Sequence, residues 1–106
     1  MRSPTQVLAV HKFGGAALAD AEAIRTVVRI IASEGASRKV VVASAMFGVT
    51  DQLLDIAHRA AAGEQEAAAI DALRARHMAV AKSLGLAGPD DAALRGQIAE
   101  TFDELH

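Results

Sequence analysis

The stretch Val7-Leu8-Ala9-Val10-His11-Lys12-Phe13-Gly14-Gly15 constrains this chain more than any other. An apolar run of strand length ends in a lysine and a glycine pair, and a helical pattern starts about five residues later. The nearly continuous apolar character predicts a buried parallel strand over residues 7–13 rather than a half-solvated one. A second run of the same kind, Val40-Val41-Val42-Ala43, is entered through Arg38 and Lys39. Between the two, Ile24, Val27, Val28 and Ile31 fall on one helical face. Asp20 is placed to cap that helix, Glu22 favours its first turn and Gly35 stands where a glycine stop belongs. Two strands joined by a crossover of about 25 residues containing one helix define a right-handed βαβ unit. The expected fold class is therefore α/β.

The rest of the chain reads as helix. After Ser44-Ala45-Met46-Phe47-Gly48-Val49-Thr50-Asp51 a helical pattern runs through Leu53, Leu54, Ala57 and Ala61, with Thr50 as its expected cap and Gly63 as its stop. A third helix is expected from Glu64 to Leu84, with Ile70, Leu73, His77, Val80 and Leu84 near one face. Gly85 to Pro89 is a loop, and Asp90 can cap a last helix that carries Leu94, Ile98, Phe102 and Leu105 to the end of the chain. The expected organisation is a βαβα unit over residues 1–62 and a helical hairpin over residues 63–106. Two parallel strands are seldom a complete sheet, because such sheets are wide and covered on both faces. The chain is thus expected to be the first part of a larger α/β domain, or to close its edges against another copy. An isolated chain should dimerise or aggregate through its open strand edges.

Composition narrows the function classes. A chain of 106 residues makes about one small domain. The absence of cysteine excludes disulfides and thiolate metal sites. A net charge of −2, scattered basic residues, and no Trp or Tyr leave no platform for stacking bases, so nucleic-acid binding is disfavoured. No apolar run approaches the roughly 18 residues of a membrane span. The opening Met1-Arg2-Ser3-Pro4-Thr5-Gln6 is followed by too short an apolar run for a signal peptide, so the expected compartment is the cytoplasm. His11, His58, His77 and His106 show no paired metal spacing, and no metal site is expected. His77, on a mostly apolar helix face, is expected to be packed rather than a ligand.

Both strands run the same way, so both strand-to-helix turns should lie at one edge of the sheet. That places Lys12, Gly14 and Gly15 beside Ser44, Gly48 and Thr50, in the crevice beyond the strands' carboxyl ends where open α/β sheets bind ligands. Glycine N–H groups, a lysine ammonium and a helix start suit the oxygens of a phosphate. Paired hydroxyls suit a carboxylate or a second phosphate. Read blandly, the same residues are a tight turn with an exposed lysine, plus ordinary capping hydroxyls.

Lys12-Phe13-Gly14-Gly15 with Ala16-Ala17-Leu18-Ala19-Asp20-Ala21-Glu22, followed at matching separation by Val40-Val41-Val42-Ala43-Ser44-Ala45-Met46-Phe47-Gly48-Val49-Thr50-Asp51, resembles the start of aspartate kinases of the amino-acid kinase superfamily. The resemblance covers essentially the whole chain, yet only the opening portion of a kinase domain more than twice as long. It implies part of a three-layer αβα fold and transfer of the ATP γ-phosphoryl group to the β-carboxylate of L-aspartate, in lysine, threonine and methionine biosynthesis. By position, Lys12, Gly14 and Gly15 would contact the ATP phosphates, with Lys12 the catalytic cation. Ser44 and Thr50 would contact aspartate, and Mg2+ would accompany the nucleotide. The implied partners are the rest of a larger kinase chain, a fused bifunctional one included, or further copies.

Three positions depart from that pattern. Ala16 and Ala17 stand where the family has Thr and Ser, and Phe47 replaces a glycine of the second turn. The family's later aspartate- and adenine-binding segments lie beyond His106, so these 106 residues alone are not expected to work as a kinase. An alternative reading is a non-catalytic relative that keeps the scaffold for assembly or regulation. A free-standing anion-binding module is the third.

Overall fold

Strand β1 (Leu8–Phe13) pairs in parallel with strand β2 (Arg38–Ala43), in the register Leu8↔Arg38 through Phe13↔Ala43. This is seen in a computed structural model that describes residues 7–86 and 88–105. The sequence expectations that fall on Met1 to Gln6 and on His106 lie outside the described residues. By compactness the chain divides into two units, one ending at Gly48 and the other starting at Val49.

In the first unit the crossover helix α1 spans Ala21–Ser33. Asp20 starts it as expected: its backbone is extended and its Oδ1 accepts from the Ala23 N–H at 2.8 Å. Such a cap satisfies one of the donors that a first turn leaves open. The stop differs from the expectation at Gly35. The helix ends at Ser33 because Glu34 turns extended, and its carboxylate accepts from the Ala36 N–H at 3.2 Å, so no left-handed glycine is needed. Leu18, Ala21 and Val27 are the buried apolar residues here, while Val28 stays more than half exposed.

The two faces of the sheet are unequal. Lys39 Nζ donates to the Ile31 carbonyl of α1 at 2.7 Å, which marks the face carrying Lys39, Val41 and Ala43 as the one toward that helix. Register puts Ala9, His11 and Phe13 on the same face, and all three are half-buried. Leu8, Val10, Arg38, Val40 and Val42 lie on the other face and are exposed, Val10 to 65%. The expectation of a buried strand at residues 7–13 is therefore corrected. The apolar run is real, but only one layer of this chain covers it, so burial alternates with period two.

The second unit is helical: α2 (Val49–Ala61), α3 (Ala67–Ser83) and α4 (Ala92–Asp103). Gly63 and Gly85 each adopt positive φ and close the preceding helix. The Glu64 N–H reaches the Arg59 carbonyl and the Leu86 N–H the Ala81 carbonyl, the six-to-one bond of a Schellman stop. Two starts differ from expectation. Helix α2 begins at Val49, so Thr50 sits inside its first turn rather than capping it. Asp90 belongs to a 3-10 turn, Pro89–Asp91, and Asp91 precedes α4 without a side-chain cap bond.

Helices α3 and α4 pack as a hairpin. Ile70, Leu73 and Ala81 are buried on α3 and Phe102 on α4. His77 lies against Phe102 with ring centroids 5.0 Å apart, and its Nδ1 is 2.7 Å from the Leu73 carbonyl oxygen. That is the packed histidine the helical face implies. Arg74 pairs with Asp103 across the hairpin, and Arg95 donates to the carbonyls of Leu86 and Gly88, tying down the loop.

Candidate functional site

Parallel pairing brings both strand ends to one edge. Phe13 and Ala43 are register partners, and the Ser44 N–H continues the ladder by donating to the Phe13 carbonyl at 3.1 Å. The turns that follow then meet. A Cβ built on Gly15 would lie 3.5 Å from the Phe47 Cα and 3.6 Å from the Ala45 carbonyl oxygen. The glycine turn and the hydroxyl-bearing turn are thus in van der Waals contact, and the missing side chain of Gly15 is what lets them approach. Gly14 has open space where its Cβ would be. Its φ of −83° is available to any residue, so openness toward a ligand, not backbone strain, distinguishes it.

Lys12 is the next-to-last residue of β1, exposed, and paired in register with Val42. Among the described residues no carboxylate forms an ion pair with it. Ser44 is exposed at the end of β2, and its hydroxyl donates to the Ala45 carbonyl at 2.8 Å, which leaves its oxygen lone pairs open. Lys12, Gly14, Gly15 and Ser44 therefore belong to one edge of the first unit. Thr50 opens the second unit from the first turn of α2, two residues past Gly48.

One element of the expected anion site is placed differently. The glycine pair does not run straight into α1: a 3-10 turn over Gly15–Leu18 intervenes, with the Ala17 N–H donating to the Gly14 carbonyl at 3.1 Å. The start of α1 already carries the carboxylates of Asp20 and Glu22, which complement its partial positive charge. The cationic character of the edge accordingly rests on Lys12 and the backbone N–H groups of the turn. Ala16 and Ala17 fall inside the 3-10 turn.

Gly48 has a φ of +80°, a left-handed conformation that turns the chain directly into α2 and that an L side chain would strain. Sequence reasoning found both turns but not their direct contact through Gly15 and Phe47. The one signal for it was the second glycine of the pair, a residue without a side chain at the point of closest approach.

The donor set suits a phosphate chain: one ammonium, a turn of N–H groups and an open surface over Gly14. Among the described residues no group of three or more His, Cys, Asp or Glu is placed to hold a metal ion, so a metal here would be carried by phosphate oxygens.

A parallel βαβ unit with a lysine and a glycine turn against a hydroxyl-bearing turn defines a protein of the phosphate-binding α/β type. The model of the amino acid kinase family matches residues 8–100, and the chain belongs to that family. It is 37% identical over 97 residues to the bifunctional aspartokinase/homoserine dehydrogenase 1 of Zea mays, an alignment covering 91% of this chain and 10% of that one. It is 38% identical over 77 residues to the corresponding Arabidopsis thaliana protein, covering 72% and 8%. The aspartokinase of Chlamydia trachomatis is 38% identical over 96 residues, covering 91% and 21%. The chain thus spans about a tenth of the bifunctional relatives' length and about a fifth of the chlamydial one. No solved structure gives a significant match. No helix among the described residues is long and apolar enough to cross a membrane.

Proposed function

We propose that this chain supplies the phosphate-binding edge of an aspartate kinase. A β-carboxylate oxygen of L-aspartate attacks the γ-phosphorus of ATP. The bond from that phosphorus to the β,γ-bridging oxygen breaks, ADP leaves with the electron pair, and an acyl phosphate forms. Lys12 neutralises charge that builds on the phosphoryl oxygens, and the N–H groups around Gly14 and Gly15 orient the phosphates. The hydroxyls of Ser44 and Thr50 hold the amino-acid acceptor. Magnesium bound to the phosphates adds charge neutralisation. No protein nucleophile takes part, because the acceptor carboxylate attacks directly.

The observation that carries this reading is the contact of the two turns at Gly15, which puts the donor side and the acceptor side of a phosphoryl transfer at one sheet edge. Residues 1–62 form the part that faces phosphate and substrate, and residues 63–106 the supporting hairpin. The 106 residues alone lack turnover. They act within a longer kinase chain, or with further copies of it, in the cytoplasm, on the route to lysine, threonine and methionine. A second reading, a scaffold without activity, is favoured by Ala16, Ala17 and Phe47, which remove two hydroxyls and add a ring at this edge.

The test is made on the full product of the reading frame that encodes this chain. With MgATP and aspartate, hydroxylamine should trap an acyl phosphate, and Lys12→Ala should lower turnover about 10²–10³-fold or more. Absence of trapped product in the unaltered protein, or unchanged turnover in Lys12→Ala, defeats the kinase reading.

A further inference from the structure

Phe47 is the largest apolar side chain at the candidate edge, and it is left 62% exposed. Its backbone is the part of the second turn that touches Gly15, the residue closest to the lysine-and-glycine turn. Gly48, in left-handed backbone, bends the chain away immediately after it. A ring fixed where two turns meet, with no core to enter, loses water only when a ligand covers it. It also occupies the junction of the donor and acceptor sides, the place where space decides how long an acceptor can be.

We propose that Phe47 is a specificity-determining residue. Its ring limits the length of the acceptor, so that an amino dicarboxylate with one side-chain methylene presents its carboxylate to the phosphoryl group and one with two methylenes does not fit. The inference rests on the kinase reading above. The transfer is the one already written: acceptor oxygen to phosphorus, with ADP leaving. Only the admitted acceptor differs.

The experiment compares kcat/KM for aspartate and glutamate, by hydroxylamine trapping with MgATP, in the full reading-frame product and its Phe47→Gly and Phe47→Leu variants. One methylene in a pocket shaped by apolar groups is worth about 10–200-fold in selectivity. Phe47→Gly should therefore reduce the preference for aspartate about tenfold or more, chiefly through gained glutamate turnover. Phe47→Leu, which keeps most of the bulk, should retain the preference. Because the ring is exposed, both variants should melt at close to the parent temperature. If the ratio stays the same in Phe47→Gly, or both acceptors fall together, Phe47 is not the selector and the kinase reading stands. If the unaltered protein phosphorylates neither acceptor, the kinase reading fails and this inference with it.

Discussion

Ala16 and Ala17 sit in the 3-10 turn that directly follows the glycine pair, where a side-chain hydroxyl would lie near any phosphate held by Lys12 and the turn's N–H groups. A hydrogen bond to a charged group contributes about 1.5–3 kcal/mol, or about ten- to hundredfold if it is made in the transition state. Restoring the hydroxyls as Ala16→Thr with Ala17→Ser should raise kcat/KM for MgATP by about tenfold in the full reading-frame product. Steady-state kinetics at saturating aspartate read this directly, and an unchanged value would mean that the turn does not touch the phosphates. At this scale the sequence disclosed the chemistry-bearing residues, because Lys12, Gly14, Gly15 and Ser44 follow strands that announce themselves by their apolar runs. It did not disclose the contact between Gly15 and Phe47, since that depends on where a 3-10 turn places a backbone, and Gly15-Ala16-Ala17-Leu18 has no side-chain signal for such a turn.

Elements were more legible than their ends. Helix α1 carries its own start instruction: Asp20 caps it through the Ala23 N–H, and Glu22 accepts from Arg25 within the first turns. Replacing a capping carboxylate by alanine costs about 0.5–2 kcal/mol. Asp20→Ala should accordingly lower the stability of the chain by about 1 kcal/mol in urea denaturation, whereas Asp20→Asn, which keeps an acceptor oxygen, should lose far less. Equal losses in both variants would show that the cap bond is not what Asp20 contributes. The stops at Gly63 and Gly85 were readable for the same local reason, as left-handed glycines closing Schellman bonds. Gly35, Thr50 and Asp90 misled because each has the right chemistry for a boundary one or two residues away. At such places competing local bonds, such as the Glu34 carboxylate on the Ala36 N–H, decide the outcome.

For the molecule as a whole, the decisive feature is a sheet of two parallel strands with one face toward α1 and the other uncovered. Leu8, Val10, Val40 and Val42 form an apolar stripe on that open face, with Arg38 and Lys12 at its two ends. Sequence alone predicted that such strands would be buried, and composition carried no information about which layer would bury them. The physical requirement is plain: both faces of a parallel sheet need cover, and both outer strand edges carry unpaired N–H and C=O groups. The isolated 106-residue chain should satisfy that requirement with copies of itself, sedimenting as a concentration-dependent mixture of species at micromolar concentration. Val10→Thr with Val42→Thr keeps β-branched side chains and strand propensity but makes the stripe polar. That pair should shift the mixture toward monomer while far-ultraviolet circular dichroism stays the same. A parent chain that is monomeric at high concentration, or a variant that associates just as strongly, would show that the open face is not what drives association. The same pair introduced into the full reading-frame product should instead cost stability, about 1–3 kcal/mol for each buried hydroxyl left unpaired, if the longer chain covers the stripe itself.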